Sequence, residues 1–177
     1  LTVDPIIDAR LRYEGIDSPT LDAEAVTLRV RAGAELGYNS GLSLLVEGEG
    51  TLAIGQDYNA FPFVIADTQR RPGFAVISDP MNVELNRLQL RYKGKAIGLT
   101  VGRQRINLDD QRFVGSVGWR QNEQTYDALR VVNKHIPNVT IDVSYVNQVN
   151  RIFGPDGLPG PNDGRFTGDT ILANVAW

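Results

Sequence analysis

Arginine recurs at every second position in several segments of the chain, with acidic residues at the same spacing. Arg10 and Arg12 form one such pair. A guanidinium is always charged and forks onto carboxylates, so these side chains can pair with neighbouring acids or bind a carboxylate from solution. The candidate residues for these two roles are Arg10, Arg12, Arg29, Arg31, Arg87, Arg91, Arg103, Arg105 and Arg130, with Glu47, Glu49 and Asp142.

The residues between these charges are apolar, so the dominant pattern has a period of two. In segment 7–14, Ile, Ala, Leu and Tyr alternate with Asp, Arg and Glu. Successive side chains of a strand point to opposite faces, so each such segment predicts a strand with one apolar face and one polar face. Eight strands are predicted, around 7–14, 26–32, 42–50, 87–92, 97–102, 126–133, 139–145 and 171–177.

The connections between these strands alternate between short and long. Outer-membrane barrels have short periplasmic turns and longer extracellular loops. With the N-terminus in the periplasm, every long connection falls outside, and one of the two longest is expected to fold inward and narrow a pore. Short turns lie near 36–41, 93–95 and 134–138, long connections run about 55–80, 102–125 and 151–168, and the first connection, 15–23, is intermediate.

Composition excludes several classes of protein. The 177 residues carry 18 basic and 21 acidic side chains, a net charge of −3, which argues against a nucleic-acid partner. The absence of cysteine excludes disulfides and thiolate sites. The mean hydropathy is −0.21, and no apolar run approaches the roughly 20 residues of a membrane helix. The start at Leu1 shows no signal peptide, so we expect a signal removed before this residue.

Alternation alone does not decide which face meets lipid. In a soluble lipocalin-like carrier, the apolar faces line a cavity, whereas in a membrane barrel they face outward. Small aliphatic residues and glycines on the apolar faces, and arginines in mid-strand on the polar faces, favour the membrane arrangement. In the lumen, the arginines would either brace the wall as ion pairs or attract an anionic solute.

Other candidate sites are weak. His135 is the only histidine, and no serine near it has a nucleophile motif, so we expect no enzyme, no cofactor and no metal site. Calcium binding through Asp156, Asp163 and Asp169 is a minor alternative, since turn chemistry explains that segment. The pair Asp109–Asp110, beside Arg105 and Arg112, is expected to pin a long loop.

Four segments carry a resemblance to a known family. They read DARLRYE at 8–14, ELNRLQLRY at 84–92, GRQRINLDDQRFVG at 102–115 and GWRQNEQTYDA at 118–128. Together they resemble the alginate-export family of outer-membrane porins. The last two segments are fairly specific, while the others are common strand patterns.

The resemblance implies a monomeric barrel of roughly eighteen strands, within the sizes known for such barrels, of which these 177 residues are the N-terminal portion. It also implies passage of an anionic polyuronate through a pore lined at the matching positions by Arg10, Arg12, Arg87, Arg91, Arg103 and Arg105. The side-chain direction of Arg103 and Arg105 stays open, because the alternation fades at the end of their strand.

We therefore predict an all-β, antiparallel, up-and-down transmembrane barrel, with residues 1–177 in one domain of the bacterial outer membrane. The predicted function is passive passage of hydrophilic, anionic, uronate-like or carboxylate solutes through an arginine-lined lumen. The predicted surroundings are the lipid bilayer and lipopolysaccharide. Alternatives are a small closed eight-stranded barrel with a structural or adhesive role and, less favoured, a soluble lipocalin-like carrier.

Overall fold

A computed structural model describes residues 1–60, 67–155 and 164–177. They form one antiparallel sheet in which each strand pairs with the next along the chain. The strands are β1 (Thr2–Ile16), β2 (Ala23–Gly37), β3 (Leu42–Asp57), β4 (Asn82–Lys93), β5 (Ile97–Gln104), β6 (Thr125–Asn133), β7 (Thr140–Asn150) and β8 (Arg165–Ala176), with a short 3-10 helix, Asp67–Gln69, before β4. The predicted all-β, up-and-down fold is confirmed.

The two ends of the sheet differ in the length of their connections. The short-turn end carries 38–41, 94–96 and 134–139, and the long-loop end carries 17–22, 58–81, 105–124 and 151–164. Gly41 allows one short turn, because its φ of 81° is a conformation that residues with a Cβ seldom adopt. The predicted one-sided distribution of loops is confirmed.

The two faces of the sheet have opposite chemistry. The face here called outer exposes aliphatic side chains, among them Ile7 and Leu11, which are 83% and 66% exposed. The inner face carries polar side chains that the loops cover, such as Arg29 and Glu47. An apolar band of this kind suits contact with lipid and is the reverse of a soluble carrier, whose apolar faces line its cavity.

A bulge in β4 places two consecutive polar side chains within reach of one carboxylate of β3. Glu47 pairs with Arg87 across the sheet and Gly48 pairs with Leu85, so Asn86 is an extra residue in β4. An extra residue bends a strand and redirects its side chains. Both Asn86 and Arg87 consequently reach the carboxylate of Glu47.

The described strands do not close on themselves, since β1 pairs only with β2 and β8 only with β7. A barrel in a membrane has no open sheet edges, because unpaired backbone groups are not tolerated in hydrocarbon. A complete eight-stranded barrel is therefore not what this structure shows. In the described ranges, no helix has the length and apolar character needed to cross a bilayer.

Two small apolar clusters anchor the long loops to the sheet. In one, Tyr58 and Ile77 of loop 58–81 pack with Ala23 and Ala25 of β2. In the other, Ile106 of loop 105–124 packs with residues of β6 and β7 and is fully buried. Each buried side chain of this size stabilises the packing by roughly 1.5–3 kcal/mol, so both loops are fixed to the sheet near their ends.

Candidate functional site

Most of the predicted arginines lie on the inner face. Arg29 and Arg31 of β2 are 4% and 8% exposed, although arginine is rarely buried without a partner. Arg29 pairs with Asp8 of the neighbouring strand. The inner face of these strands also places Arg10 directly opposite Arg29, an arrangement of like charges that needs compensation by other groups.

Glu47 is the centre of one ion-pair network. Its carboxylate accepts hydrogen bonds from Arg87 Nε at 2.8 Å and Nη2 at 2.7 Å, a bidentate arrangement. Asn86 Nδ2 donates to it at 2.8 Å, and Arg105 Nη2 lies 3.5 Å away. Because Glu47 is 1% exposed, this charge is compensated almost entirely by protein groups.

A second carboxylate centre joins the sheet to a loop. Glu123, from loop 105–124, accepts hydrogen bonds from Arg105 Nε at 2.5 Å and from Asn86 Nδ2 at 2.6 Å. It also lies 3.2 Å from Arg31 Nη2, and Arg31 pairs in turn with Glu49 of β3. The guanidiniums of Arg31 and Arg105 are therefore occupied by protein carboxylates.

Loop 105–124, here called the crossing loop, traverses the inner face from one edge of the sheet to the other. At the β8 edge, Asn174 Nδ2 donates to the Asp109 carboxylate at 2.9 and 3.0 Å. At the β1 edge, Arg10 Nε donates to Gln121 Oε1 at 2.9 Å. One of the two longest connections thus folds inward. Asp109 holds it through Asn174 and not through Arg105, which binds Glu47 and Glu123.

The β1 arginines hold the crossing loop through its backbone. Arg10 donates to the carbonyl oxygens of Gly118, at 3.0 Å, and of Arg120. Arg12 donates to the Trp119 carbonyl at 3.0 Å. The Trp119 ring lies 4.1 Å from the Arg120 guanidinium carbon and 5.3 Å from that of Arg12, within the range of cation–π attraction.

Two buried amides then dock the loop on β2 and β3. Gln121 Nε2 donates to Thr27 Oγ1 at 2.8 Å, and Thr51 Oγ1 donates to Asn122 Oδ1 at 2.6 Å. Both amide side chains are fully buried. Because a buried polar group is costly without a partner, these bonds specify one position for the loop.

Asp79 connects the two longest loops to β1. Its side chain is 1% exposed, its Oδ1 accepts from the Gln121 backbone N–H at 3.0 Å, and its Oδ2 lies 3.1 Å from Arg12 Nη1. Its backbone carbonyl accepts from the Tyr58 hydroxyl at 2.9 Å. Burial, with a contribution from the Asp79 carboxylate, raises the pKa of Tyr58 to about 12.

The crossing loop contains three residues with positive φ that are not glycine. Asp109, Gln111 and Val117 have φ values of 50°, 62° and 52°. For a β-branched residue such as Val117 this conformation is unusual and costs on the order of 1–3 kcal/mol. Contacts with the inner face at both edges of the sheet hold the loop in this shape.

The remaining candidates divide between two environments. Arg130 Nη2 donates to Asp142 at 2.5 Å, so that pair is on the inner face as predicted from the alternation. Arg91 is exposed, and within the described part of the chain no carboxylate pairs with it. It lines a cavity of about 460 Å³ at the short-turn end of β4, β5 and β6.

Arg103 has the opposite direction from the other candidates. It pairs across the sheet with Leu88, an exposed residue of the outer face, and its Nε donates to Asp127 at 2.7 Å. Residues paired in this way lie on one face of a sheet. The direction of Arg103, open in the sequence, is therefore outward, while Arg105 points inward to Glu47 and Glu123.

Several contacts had no signal in the sequence. Gln121, Asn122 and Glu123 lie in a connection, where alternation gives no direction, and Asp79 lies in another. Asn86 reaches the inner face only through the bulge. Lys93 differs from these residues, because it continues the inward positions of β4 and the alternation indicates its direction.

The minor metal and catalytic hypotheses gain no support. Asp156 and Asp163 of the calcium hypothesis lie outside the described residues, and Asp169 accepts a hydrogen bond from the Tyr145 hydroxyl at 2.5 Å. Within the described ranges no group of three or more His, Asp or Glu side chains is placed to hold a metal ion. His135 is exposed in a short turn, where its backbone N–H donates to Asn133 Oδ1.

Comparison with known proteins then gives the family. The family model described as "Alginate export" matches residues 7–142, which is more than half of the chain. The chain belongs to the alginate-export family. This confirms the resemblance found in the sequence, and the matched range includes the crossing loop and strands β1–β6. No curated protein matches the chain.

Solved structures show the same fold. The chain is similar to OccAB3 of Acinetobacter baumannii, with a TM-score of 0.69 at 16% identity over 98% of this chain and 46% of that one. For OccD3 (OpdP) of Pseudomonas aeruginosa the TM-score is 0.52 at 12% identity, over 95% and 31%. For OpdK of the same organism, solved with vanillate, it is 0.53 at 12% identity, over 84% and 36%.

This alginate-export chain spans less than half the length of the solved proteins it matches. Its family, its strand topology and its apolar outer face place it in the β-barrel of a bacterial outer-membrane protein.

Proposed function

We propose that the chain forms part of an outer-membrane channel for passive passage of hydrophilic, anionic solutes. The observation that carries the proposal is the contrast between an aliphatic outer face and an inner face rich in arginine. Side chains lining a lumen with low-dielectric walls focus the electric field and raise the local concentration of oppositely charged solutes.

The lumen-side wall of the barrel would be formed by the inward members of the predicted set, some of which, such as Arg29 and Glu47, are buried. These are Arg10, Arg12, Arg29, Arg31, Arg87, Arg91, Arg105 and Arg130, with Glu47, Glu49 and Asp142; Arg103 is left out because it points outward. The crossing loop covers the inner face between β1 and β8 and would narrow the passage. Residues 1–177 would belong to one barrel domain, with the long loops outside the cell and the protein acting as a monomer.

Carboxylates are the solute class that this lining fits best. Guanidiniums bind carboxylates with paired, charge-assisted hydrogen bonds, as Arg87 binds Glu47 here. OpdK, which shares the fold, was solved with vanillate, an aromatic carboxylate. Uronate-like solutes carry the same group. Conduction requires release as well as entry, so binding at each site would be weak.

The test is single-channel conductance of the natural full-length product in a planar bilayer, with the reversal potential measured in a salt gradient. Stable openings with anion preference are expected. Liposome swelling then compares glucuronate with glucose, which are similar in size and differ in charge, and glucuronate should enter faster. A correctly folded, inserted protein that does not conduct, or that passes both sugars equally, would contradict the proposal.

A further inference from the structure

The cavity at the short-turn end, here called the basic pocket, has a lining that differs from the rest of the inner face. Seven cationic side chains and no carboxylate line it. Three of them, Arg87, Arg105 and Arg130, have carboxylate partners elsewhere on the inner face. The other four are Arg91, Lys93, Lys95 and Lys134, and within the described residues no acidic side chain pairs with them.

The sheet register explains why the pocket is open. Arg91 of β4 and Arg130 of β6 lie on either side of Thr100. Lys93 lies opposite Gly98, whose partner on β6 is Val132. Strands are about 4.8 Å apart, so cations on β4 and β6 are separated by roughly 10 Å. The small side chains of β5 leave the space between them unfilled, and the cavity of about 460 Å³ results.

The four cations are free for a ligand because they are exposed. Arg91, Lys93, Lys95 and Lys134 are all in the exposed class, whereas Arg29 and Arg31 are buried under the crossing loop. An exposed cation is hydrated and needs no protein partner, while a buried one does. The one nearby inner-face acid on β2, Glu35, accepts a hydrogen bond from Ser43 at 2.6 Å and does not line the pocket.

We infer that the basic pocket is a binding site for soluble anions that carry two or more negative groups, at the short-turn mouth of the barrel. The inference rests on the proposed function, because anions bound in the pocket would be concentrated at one entrance of the channel. From Arg87 to Lys93 the pocket extends along seven residues of β4, roughly 20 Å. Cations spread over this length can contact several charges of one molecule, whereas a monocarboxylate reaches one or two of them.

The ligand is a solute rather than a lipid headgroup because of the face on which the pocket lies. Its lining residues Gln89, Arg91 and Thr100 belong to the inner face, and the residues that alternate with them, such as Leu90 and Leu99, are exposed on the outer face. A lipid phosphate would meet the outer face first. The pocket opens to the lumen, where dissolved anions pass.

Calorimetric titration of the full-length protein in detergent at low salt tests the site directly. Citrate and tripolyphosphate serve as multivalent probes and acetate as the monovalent one. Citrate and tripolyphosphate should bind saturably and acetate should not, and the affinity should fall steeply with added salt, since exposed charges are screened. No saturable binding of either multivalent probe would overturn the inference.

Two charge-matched variants locate the binding. Lys93→Gln with Lys134→Gln removes two pocket cations, and Arg70→Gln with Arg112→Gln removes two exposed cations from the long loops. The pocket variant should weaken citrate binding at least about tenfold, since two charge contacts are lost. The loop variant should leave it within about twofold. Equal effects of the two variants would overturn the assignment to the pocket.

The result is separable from the conductance test. An anion-selective channel without citrate binding would contradict the basic pocket and leave the proposed function intact. Citrate binding that depends on Lys93 and Lys134, in a protein that does not conduct, would support the pocket and contradict the channel. Unchanged heat-modifiable mobility in gel electrophoresis shows that each variant is folded.

Discussion

Two regions of the inner face use the same kind of side chain in different ways. Towards the long loops, the guanidiniums of Arg29 and Arg31 are buried and bind the carboxylates of Asp8, Glu49 and Glu123. At the short-turn end, Arg91 and the three lysines of the basic pocket are exposed and face no acid among its lining residues.

This difference shows that burial determines whether a cationic side chain of the inner face pairs with a protein group or remains exposed to solvent. Where the crossing loop excludes water, each cation needs a carboxylate or carbonyl acceptor, and the resulting network fixes the loop to the sheet. Where no loop covers the sheet, the cations stay exposed and hydrated. The number of arginines therefore does not measure the attraction of the lumen for anions.

The largest expected effect comes from breaking the covered region. Glu47→Gln leaves Arg87 without its buried counter-charge, while Arg105 keeps Glu123, and should lower the free energy of unfolding by about 3–5 kcal/mol. Urea unfolding of the full-length protein in lipid vesicles, followed by tryptophan fluorescence, measures this. Lys95→Gln in the basic pocket is the control and should change stability by less than about 0.5 kcal/mol. Similar losses in both variants would remove the distinction between the regions.

Titration of Tyr58, a buried residue at the long-loop end of the sheet, also distinguishes the covered region from the exposed one. Its pKa is raised from 10.0 to about 12, so below pH 10 the hydroxyl is protonated in both the folded and the unfolded chain. Between pH 10 and 12 the unfolded chain loses this proton first, so stability falls as pH rises, by up to about 2–3 kcal/mol. Urea unfolding at several pH values measures the fall.

Two tyrosine variants assign that pH dependence. Tyr58→Phe should abolish the contribution of this residue between pH 10 and 12, whereas Tyr38→Phe, at an exposed position of a short turn, should preserve it. A pH profile that is unchanged in Tyr58→Phe would show that another group is responsible.

The smallest expected effect concerns one docking bond of the crossing loop. Thr51→Val keeps the side-chain shape but removes the hydroxyl that donates to Asn122, leaving a buried amide oxygen without this partner. The expected loss is about 1–2 kcal/mol, with faster proteolysis within 105–124. The control is Thr100→Val, which makes the same change in the uncovered region and should alter neither quantity. Equal rates of proteolysis within 105–124 in both variants would show that this hydrogen bond does not hold the loop on the sheet.

Much of the fold follows from the sequence because alternation has a simple physical basis. Apolar residues at every second position fix both the strands and their facing, and Arg10, Arg29 and Asp142 lie on the inner face as the alternation predicts. At Arg103 the alternation fades, and only the pairing with Leu88 in the structure shows that this side chain points outward. Loop lengths likewise predict the two ends of the sheet, because a hairpin needs few residues and a covering loop needs many.

The sequence by itself determined that this chain forms amphipathic strands of an outer-membrane barrel and that it belongs to the alginate-export family. Only the tertiary structure decided which charges are occupied, because Glu123 meets Arg31 and Asn122 meets Thr51 across more than seventy residues of chain. Periodicity describes neighbours along a strand and carries no information on where a loop returns. Which charged groups form ion pairs depends on where the loop contacts the sheet. The exposure of the remaining cations depends on the same contacts.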